Sequence, residues 1–96
     1  MSAYVIYQGE VFNPVLYDEY KVKAAASIAA AGGRYIVRGG EIEVLEGEPP
    51  MGRTVVLEFP TMDAALAWYQ SEEYTQIRTI RDRAARTRMY VADGIE

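Results

Sequence analysis

The sequence predicts an α+β protein of the ferredoxin-like class, in which a four-stranded antiparallel sheet of element order βαββαβ carries its helices on one face. Short stretches that alternate between apolar and polar residues are typical of strands, and longer stretches with apolar residues at helical spacing separate them. Two consecutive β-α-β halves form the split βαβ arrangement. The 96 residues suit one hydrophobic core, so residues 1–96 are expected to form a single domain.

The chain opens with a predicted strand over residues 3–11 and a helix that begins at Asn13-Pro14. Asn is a favourable N-cap, and Pro fits the first helical position because its missing N–H would have no partner there. The pair Gly32-Gly33 is typical of a helix end, where glycine adopts the left-handed conformation. The stripe expected to face the core consists of Tyr17, Tyr20, Ala24, Ile28 and Ala31.

A second strand is predicted over residues 34–38. Its predicted faces are Tyr35 with Val37, and Arg34 with Ile36 and Arg38. Residues 41–45 alternate again between glutamate and aliphatic side chains. Gly39-Gly40 therefore either turns a hairpin or kinks one long strand, and the pattern does not distinguish the two. Residues 47–52 have the composition of a loop.

The strongest strand pattern covers residues 54–59 and ends at Pro60. Val55, Leu57 and Phe59 are predicted to lie on one face, and Thr54, Val56 and Glu58 on the other. Thr61 is a favourable N-cap for the helix that follows. The predicted inward residues of that helix are Met62, Ala65, Leu66 and Tyr69.

Ser71 is a second N-cap candidate, because two glutamates follow it in the position that a helix dipole favours for anions. The helical region is therefore expected to have a joint at Gln70-Ser71. The last helix is predicted to extend to about Arg86. A short strand over residues 89–92 and a tail over residues 93–96 complete the chain.

The predicted order places the first and third strands at the centre of the sheet. The first strand has apolar residues on both faces, with Tyr4 and Ile6 opposite Val5 and Tyr7. One layer of helices covers only one face, so we expect a second copy of the sheet to cover the other. The sequence thus predicts a homodimer that associates through the sheet face.

The most specific motifs in the chain are Gly33-Arg34-Tyr35, Arg38-Gly39-Gly40, Leu57-Glu58-Phe59-Pro60 and Ser71-Glu72-Glu73-Tyr74. Through them, and over about residues 3–94, the sequence resembles a small bacterial family, the domain of unknown function numbered 1330, of the dimeric α+β barrel superfamily. The resemblance implies a ferredoxin-like protomer that dimerises sheet to sheet. It implies no particular activity, since superfamily relatives range from cofactor-free monooxygenases to haem-degrading enzymes and stress-response proteins.

The composition excludes several classes of chemistry. The chain has no Cys and no His, which excludes thiol nucleophiles, the usual zinc sites and His-based triads. Ten Lys and Arg against 14 Asp and Glu leave a net charge of −4, which disfavours nucleic acid as a partner. We expect no metal, no cofactor and no membrane span. The N-terminus is not typical of a signal peptide, so the expected location is cytoplasmic.

Arg81 is the most informative candidate for function, because it lies on the inward stripe of the last helix and a guanidinium there needs an acceptor. It either binds an anion in a pocket between helices and sheet, or it pairs with an internal carboxylate or reaches past the stripe to solvent. Glu58 is a candidate catalytic base if it faces the helices and meets Arg81 or Arg38. Otherwise Glu58 forms a structural salt bridge, within the chain or across the dimer.

Arg38 and the tyrosines complete the predicted ligand site. Arg38 adjoins Gly39-Gly40, which either lets an anion approach the backbone amides or merely bends the edge strand. The inward aromatic residues either wall a pocket for a flat ligand or pack as plain core: Tyr17, Tyr20, Tyr69 and Tyr74. Tyr20 is a further candidate for proton transfer.

From these observations we expect a protein that binds a small anionic or aromatic molecule between its helices and its sheet. Two alternatives remain open. One is a cofactor-free enzyme, monooxygenase- or isomerase-like, that uses Glu58 or a tyrosine as base. The other is a structural or interaction protein without a ligand. The absence of His favours binding, because Glu or Tyr would need a large pKa shift to act as a base near neutral pH.

Overall fold

The computed structural model describes residues 1–95 and contains four strands and three helices. In chain order the elements are β1 (Ala3–Val11), α1 (Pro14–Ala30), β2 (Arg34–Arg38), β3 (Arg53–Phe59), α2 (Met62–Gln70), α3 (Glu72–Asp82) and β4 (Ala85–Asp93). The strands form one antiparallel sheet in the order β2-β3-β1-β4. The predicted ferredoxin-like α+β fold is therefore confirmed, with the first and third strands at the centre.

Side-chain caps set the helix boundaries, as the sequence predicts. The Asn13 side chain accepts a hydrogen bond from the backbone N–H of Leu16 at 3.2 Å, and α1 ends before Gly32, whose φ is +85°. Ser71 separates α2 from α3, because its hydroxyl donates to the Trp68 carbonyl at 2.7 Å and accepts from the Tyr74 N–H at 3.1 Å. One serine thus closes one helix and opens the next.

The inward face of α2 differs from the predicted one. Trp68, which was not predicted to face inward, is only 3% exposed, whereas Leu66 is 38% exposed. The helix is rotated so that the indole packs between Phe59 and Tyr74, at ring-centroid distances of 5.4 and 4.1 Å. Burying the largest side chain of the helix removes more apolar area from water than burying leucine would.

The predicted end of the last helix at about Arg86 is wrong. The helix α3 ends at Asp82, and β4 begins at Ala85 rather than at residue 89. Strand β4 pairs with the whole of β1, from Ala3 opposite Asp93 to Val11 opposite Ala85. Pairing along nine positions outweighs the helical propensity of the residues after α3. Of the predicted tail, the first residue belongs to β4, and Glu96 lies outside the described residues.

Neither alternative for residues 41–45 is correct, because they form no strand. The chain leaves β2 at Gly39, whose φ is +69° and whose N–H donates to the Thr54 carbonyl at 2.9 Å. Residues 40–49 are then irregular and exposed. Their alternating pattern has no partner strand among the described residues, although the outer edge of β2 is open.

A bulge in β2 changes the predicted faces of that strand. Tyr35 pairs with Leu57, but Val37 pairs with Val56 and Arg38 with Val55, so that Ile36 is the extra residue. Tyr35 and Arg38 consequently share the helix-covered face, and Val37 lies on the opposite face. The prediction that Tyr35 and Val37 share a face is therefore wrong, because one inserted residue reverses the alternation.

The sheet has an inner face, covered by all three helices, and an outer face without a covering layer. The core fills the space between the helices and the inner face, and its large members include Tyr7, Phe59, Trp68 and Tyr74. On the outer face, an apolar row crosses all four strands through paired positions: Val37, Val56, Ile6 and Tyr90.

Candidate ligand-binding site

A cleft opens between α1 and the inner face of the sheet, on the side of β2 and β3. Helix α1 packs chiefly against α3, whereas α2 lies directly on the strands. Long side chains rather than close backbone contact therefore bridge α1 to the sheet. The empty space of the cleft is about 400 Å³ when counted out to its open mouth.

The cleft has an apolar floor and aromatic walls. The central strands supply Val5, Val55 and Leu57 to the floor, and Trp68 closes it from α2. The walls are four tyrosines from three different elements: Tyr7, Tyr17, Tyr20 and Tyr35. Flat apolar surfaces with hydroxyl groups at their edges are typical of sites that bind an aromatic ligand in a fixed orientation.

Three cationic side chains also line the cleft, and its lining contains no carboxylate. The Arg38 guanidinium lies 4.3 Å from the centroid of the Tyr35 ring, and the Arg53 guanidinium lies 5.5 Å from that of Tyr17. Within residues 1–95, neither arginine has an ion pair. The Nε atom of Arg53 is buried without a hydrogen-bond partner. The third cation, Lys21, pairs with Asp18 at 3.1 Å.

The tyrosine hydroxyls beside the cleft form two buried pairs. The hydroxyls of Tyr7 and Tyr17 lie 2.9 Å apart, and those of Tyr20 and Tyr74 lie 2.6 Å apart. Burial raises the pKa of Tyr17 and of Tyr20 well above the ordinary value of a phenol. These hydroxyls therefore stay protonated at neutral pH. They can donate hydrogen bonds, but Tyr20 is not suited to act as a base.

Arg81 lies behind the cleft rather than in it. Its side chain is buried at 7% exposure, and its Nη1 donates a hydrogen bond to the Tyr74 hydroxyl at 3.3 Å. Burial opposes its charge, but Tyr74, Tyr20 and Asp82 keep the pKa of Arg81 above its ordinary value. Arg81 therefore stays charged and polarises the hydroxyl pair formed by Tyr74 and Tyr20.

Two predicted site residues lie elsewhere. Tyr69 lines a separate groove between α2 and β4, and its hydroxyl accepts a hydrogen bond from Arg78. Glu58 lies on the outer face, where the Arg34 Nη2 approaches its carboxylate at 2.6 Å. That hydrogen bond lowers the pKa of Glu58 below its ordinary value. The alternative in which Glu58 meets Arg81 or Arg38 is thus wrong, and the intrachain salt bridge is the one observed.

The structure brings three predicted residues, Tyr17, Tyr20 and Arg38, to the cleft itself, and Tyr74 and Arg81 to the hydrogen-bonded chain behind it. Sequence reasoning did not identify four cleft residues: Tyr7, Lys21, Tyr35 and Arg53. A signal for Arg53 is present, because it continues the inward alternation of Val55, Leu57 and Phe59 by one step. Lys21 lies one helical turn after Tyr17.

Two kinds of feature are not found in the described part of the chain. Residues 1–95 contain no cluster of three or more acidic side chains that could hold a metal ion. None of the three helices is long and apolar enough to span a membrane. Because of the groups that line it, the cleft can bind an anion through guanidinium groups, stack a flat ring against tyrosines and donate hydrogen bonds from neutral phenols.

This geometry defines a class of protein, the ferredoxin-like α+β fold, with a cleft between its helices and its sheet. The chain belongs to the family described as domain of unknown function (DUF1330), whose family model matches residues 2–95. No curated protein matches the sequence.

Solved structures show the same fold. RPA0582, a protein of unknown function from Rhodopseudomonas palustris, has a TM-score of 0.78 at 13% identity, over 99% of this chain and 83% of that one. The methylated RPA0582 protein has a TM-score of 0.77 at 14% identity, over 99% and 82%. SnoaB, a cofactor-independent oxygenase from Streptomyces nogalater, has a TM-score of 0.66 at 12% identity, over 99% and 94%. Identities this low show the fold alone.

Proposed function

We propose that this protein binds a small, flat, anionic molecule in the cleft between α1 and the sheet. One observation carries the proposal: Arg38 and Arg53 stand at an aromatic cleft without a carboxylate partner among the described residues. A guanidinium cannot lose its proton at ordinary pH, so the half-buried Arg53, which has no ion pair among the described residues, favours an anion from outside. The tyrosine rings would hold the body of the ligand.

A matched pair of probes tests the proposal. The planar anion 2-naphthoate and its neutral analogue 2-naphthalenemethanol are titrated into the protein by calorimetry. We expect naphthoate to bind more tightly, and we expect Arg53→Gln to weaken its binding about 10- to 100-fold, as the loss of a charged hydrogen bond does. Arg83→Gln, on the exposed end of α3, is the matched control. Equal binding of the two probes, or equal affinities of the two variants, would contradict the proposal.

A cofactor-free enzyme is the second candidate, and the neutral hydroxyls beside the cleft favour it. They would serve as proton or hydrogen-bond donors, since Glu58 lies on the outer face and the raised pKa of Tyr20 opposes a role as base. SnoaB, which shares the fold, is described as a cofactor-independent oxygenase. Oxygen uptake in the presence of 1-naphthol, lost in Tyr20→Phe while probe binding persists, would support turnover. Absence of both uptake and binding would favour a structural or interaction protein.

We also propose that a second copy covers the outer face, which would make the protein a homodimer. The row formed by Val37, Val56, Ile6 and Tyr90 supports this proposal, because Tyr90 is 59% and Val37 40% exposed in the isolated protomer. Sedimentation equilibrium at micromolar concentration distinguishes dimer from monomer. The proposed location is the cytoplasm, which fractionation of cells producing the protein would test.

A further inference from the structure

The loop between β2 and β3 carries the whole net charge of the protein. This segment, residues 40–51, is called the acidic arm below. It contains four of the 14 Asp and Glu residues and none of the 10 Lys and Arg residues, so the rest of the chain has ten charges of each sign. The four carboxylates are Glu41, Glu43, Glu46 and Glu48, all of them exposed and without an ion pair in the described part of the chain.

The acidic arm also exposes large apolar side chains. Leu45 is 90% exposed, and Ile42 and Val44 are 41% and 48% exposed. If the acidic arm served only to prevent the edge strand β2 from pairing with other chains, it would need the glutamates but not these aliphatic residues. Exposed apolar side chains in one segment mark a surface that can pack against a partner, and unpaired charge of one sign beside them favours a partner of the opposite charge.

The outer face has the complementary composition. Its apolar row is bordered on β4 by Arg86 and Arg88, both of them exposed. Arg88 has no ion pair among the described residues, and Arg86 reaches Glu10 only at 3.7 Å, with both side chains more than half exposed. The outer face therefore offers apolar side chains on which the aliphatic residues of the acidic arm can pack. It also offers positive charge, with which the glutamates of the arm form no ion pair in their own protomer.

We infer that the acidic arm of each protomer packs on the outer face of a second copy of this chain. Its aliphatic side chains extend the contact with the apolar row, and its glutamates pair with Arg86 and Arg88 of that copy. This inference rests on the proposed homodimer and adds the arm to its interface. Each arm would meet the other protomer in the same way, as a two-fold interface requires.

Charge reversal on both sides tests the inference. Sedimentation equilibrium compares the wild-type chain with Glu41→Lys/Glu43→Lys, with Arg86→Glu/Arg88→Glu and with the variant that carries all four changes. We expect each pair alone to weaken the dimer at least about tenfold, and we expect the combination to restore most of the affinity. Glu19→Lys/Glu73→Lys makes the same charge change on the helical side and is expected to leave the dimer intact. Leu45→Ser should weaken the dimer without changing its charge.

The possible outcomes distinguish the role of the acidic arm from the existence of the homodimer. A dimer that withstands Glu41→Lys/Glu43→Lys and Leu45→Ser would overturn the role of the arm and leave the homodimer standing. A wild-type chain that is monomeric at these concentrations would overturn both. Weakening by each pair without any restoration in the combined variant would also contradict the inference, provided that circular dichroism shows every variant folded.

Discussion

The guanidinium of Arg53 packs against the backbone of Gly39, so closely that a methyl group added to Gly39 would come within 2.5 Å of the Arg53 Nη2 atom. Gly39 has a φ of +69°, in the left-handed region that favours glycine. The turn that ends β2 therefore provides the space in which Arg53 reaches the cleft. The position of the Arg53 guanidinium in the proposed site thus depends on Gly39.

Gly39→Ala is expected to destabilise the protein by about 1 kcal/mol through the positive φ, and to weaken naphthoate binding by displacing Arg53. Two glycines provide the controls. Gly47 also has a positive φ, of +76°, but a methyl group added to it would meet nothing within 4 Å. A methyl group added to Gly40 would also meet nothing within 4 Å, and Gly40 has no positive φ. Gly47→Ala should lower stability without changing affinity. An unchanged affinity in Gly39→Ala, measured by calorimetry, would contradict this role.

Tyr74→Phe is expected to lower the free energy of unfolding by about 1–3 kcal/mol, because it leaves the Tyr20 hydroxyl and the Arg81 guanidinium buried without their common partner. Urea denaturation provides the measurement. Thr79→Val removes a hydroxyl from an exposed position of α3 and should change little. Equal stabilities of the two variants would show that the hydroxyl chain does not stabilise the fold.

The Glu58–Arg34 pair predicts a specific loss of stability in acid. The folded protein lowers the pKa of Glu58 below its ordinary value of 4.5, so the contribution of the pair is complete above pH 4.5 and is lost as the pH falls through the lower pKa. Glu58→Gln should therefore be less stable than the wild type at pH 7 and closer to it at pH 3. Urea midpoints at the two pH values measure this, with Glu19→Gln as control. A stability difference that does not depend on pH would contradict the prediction.

Ser27→Ala is expected to destabilise the protein by about 1–2 kcal/mol, because the Trp68 indole N–H donates to the Ser27 hydroxyl at 3.2 Å and would remain buried without an acceptor. Trp68 is the one tryptophan in the chain, so its fluorescence follows thermal unfolding directly. Thr79→Ala, at an exposed position of α3, controls for the loss of a hydroxyl. If Ser27→Ala and Thr79→Ala unfold at the same temperature, the hydrogen bond between Trp68 and Ser27 does not stabilise the protein.

The fold could be predicted wherever a local rule decides the structure. Asn13 and Ser71 cap helices because their side chains satisfy backbone N–H groups a few residues away, and this chemistry is visible in a few letters of sequence. The boundary between α3 and β4 is different. It depends on pairing with β1, more than 70 positions earlier in the chain, and no local signal at Arg83 or Ala85 reports that pairing.

The cleft could be predicted only in part, for the same reason. Tyr17 and Tyr20 follow from helical spacing, but Arg38 reaches the cleft through a bulge that alternation alone does not indicate. Arg53 continues the alternation of β3 but lies one residue before the predicted start of that strand. It was therefore not identified as a residue of the cleft. Glu58 could not be assigned to a face until the direction of the inward stripe on β3 was known.

The extra residue in β2 determines which side chain at the end of that strand enters the cleft. Deleting Ile36 alone, one codon in the gene, would return the strand to strict alternation from Tyr35 onward. Val37 would stay opposite Val56 on the outer face and Arg38 would stay opposite Val55 on the inner face, so Arg38 would keep its place in the cleft. A strand of unchanged length without the bulge would instead point Val37 into the cleft and Arg38 away from it, so one unpaired residue of the edge strand decides whether the cleft receives this positive charge.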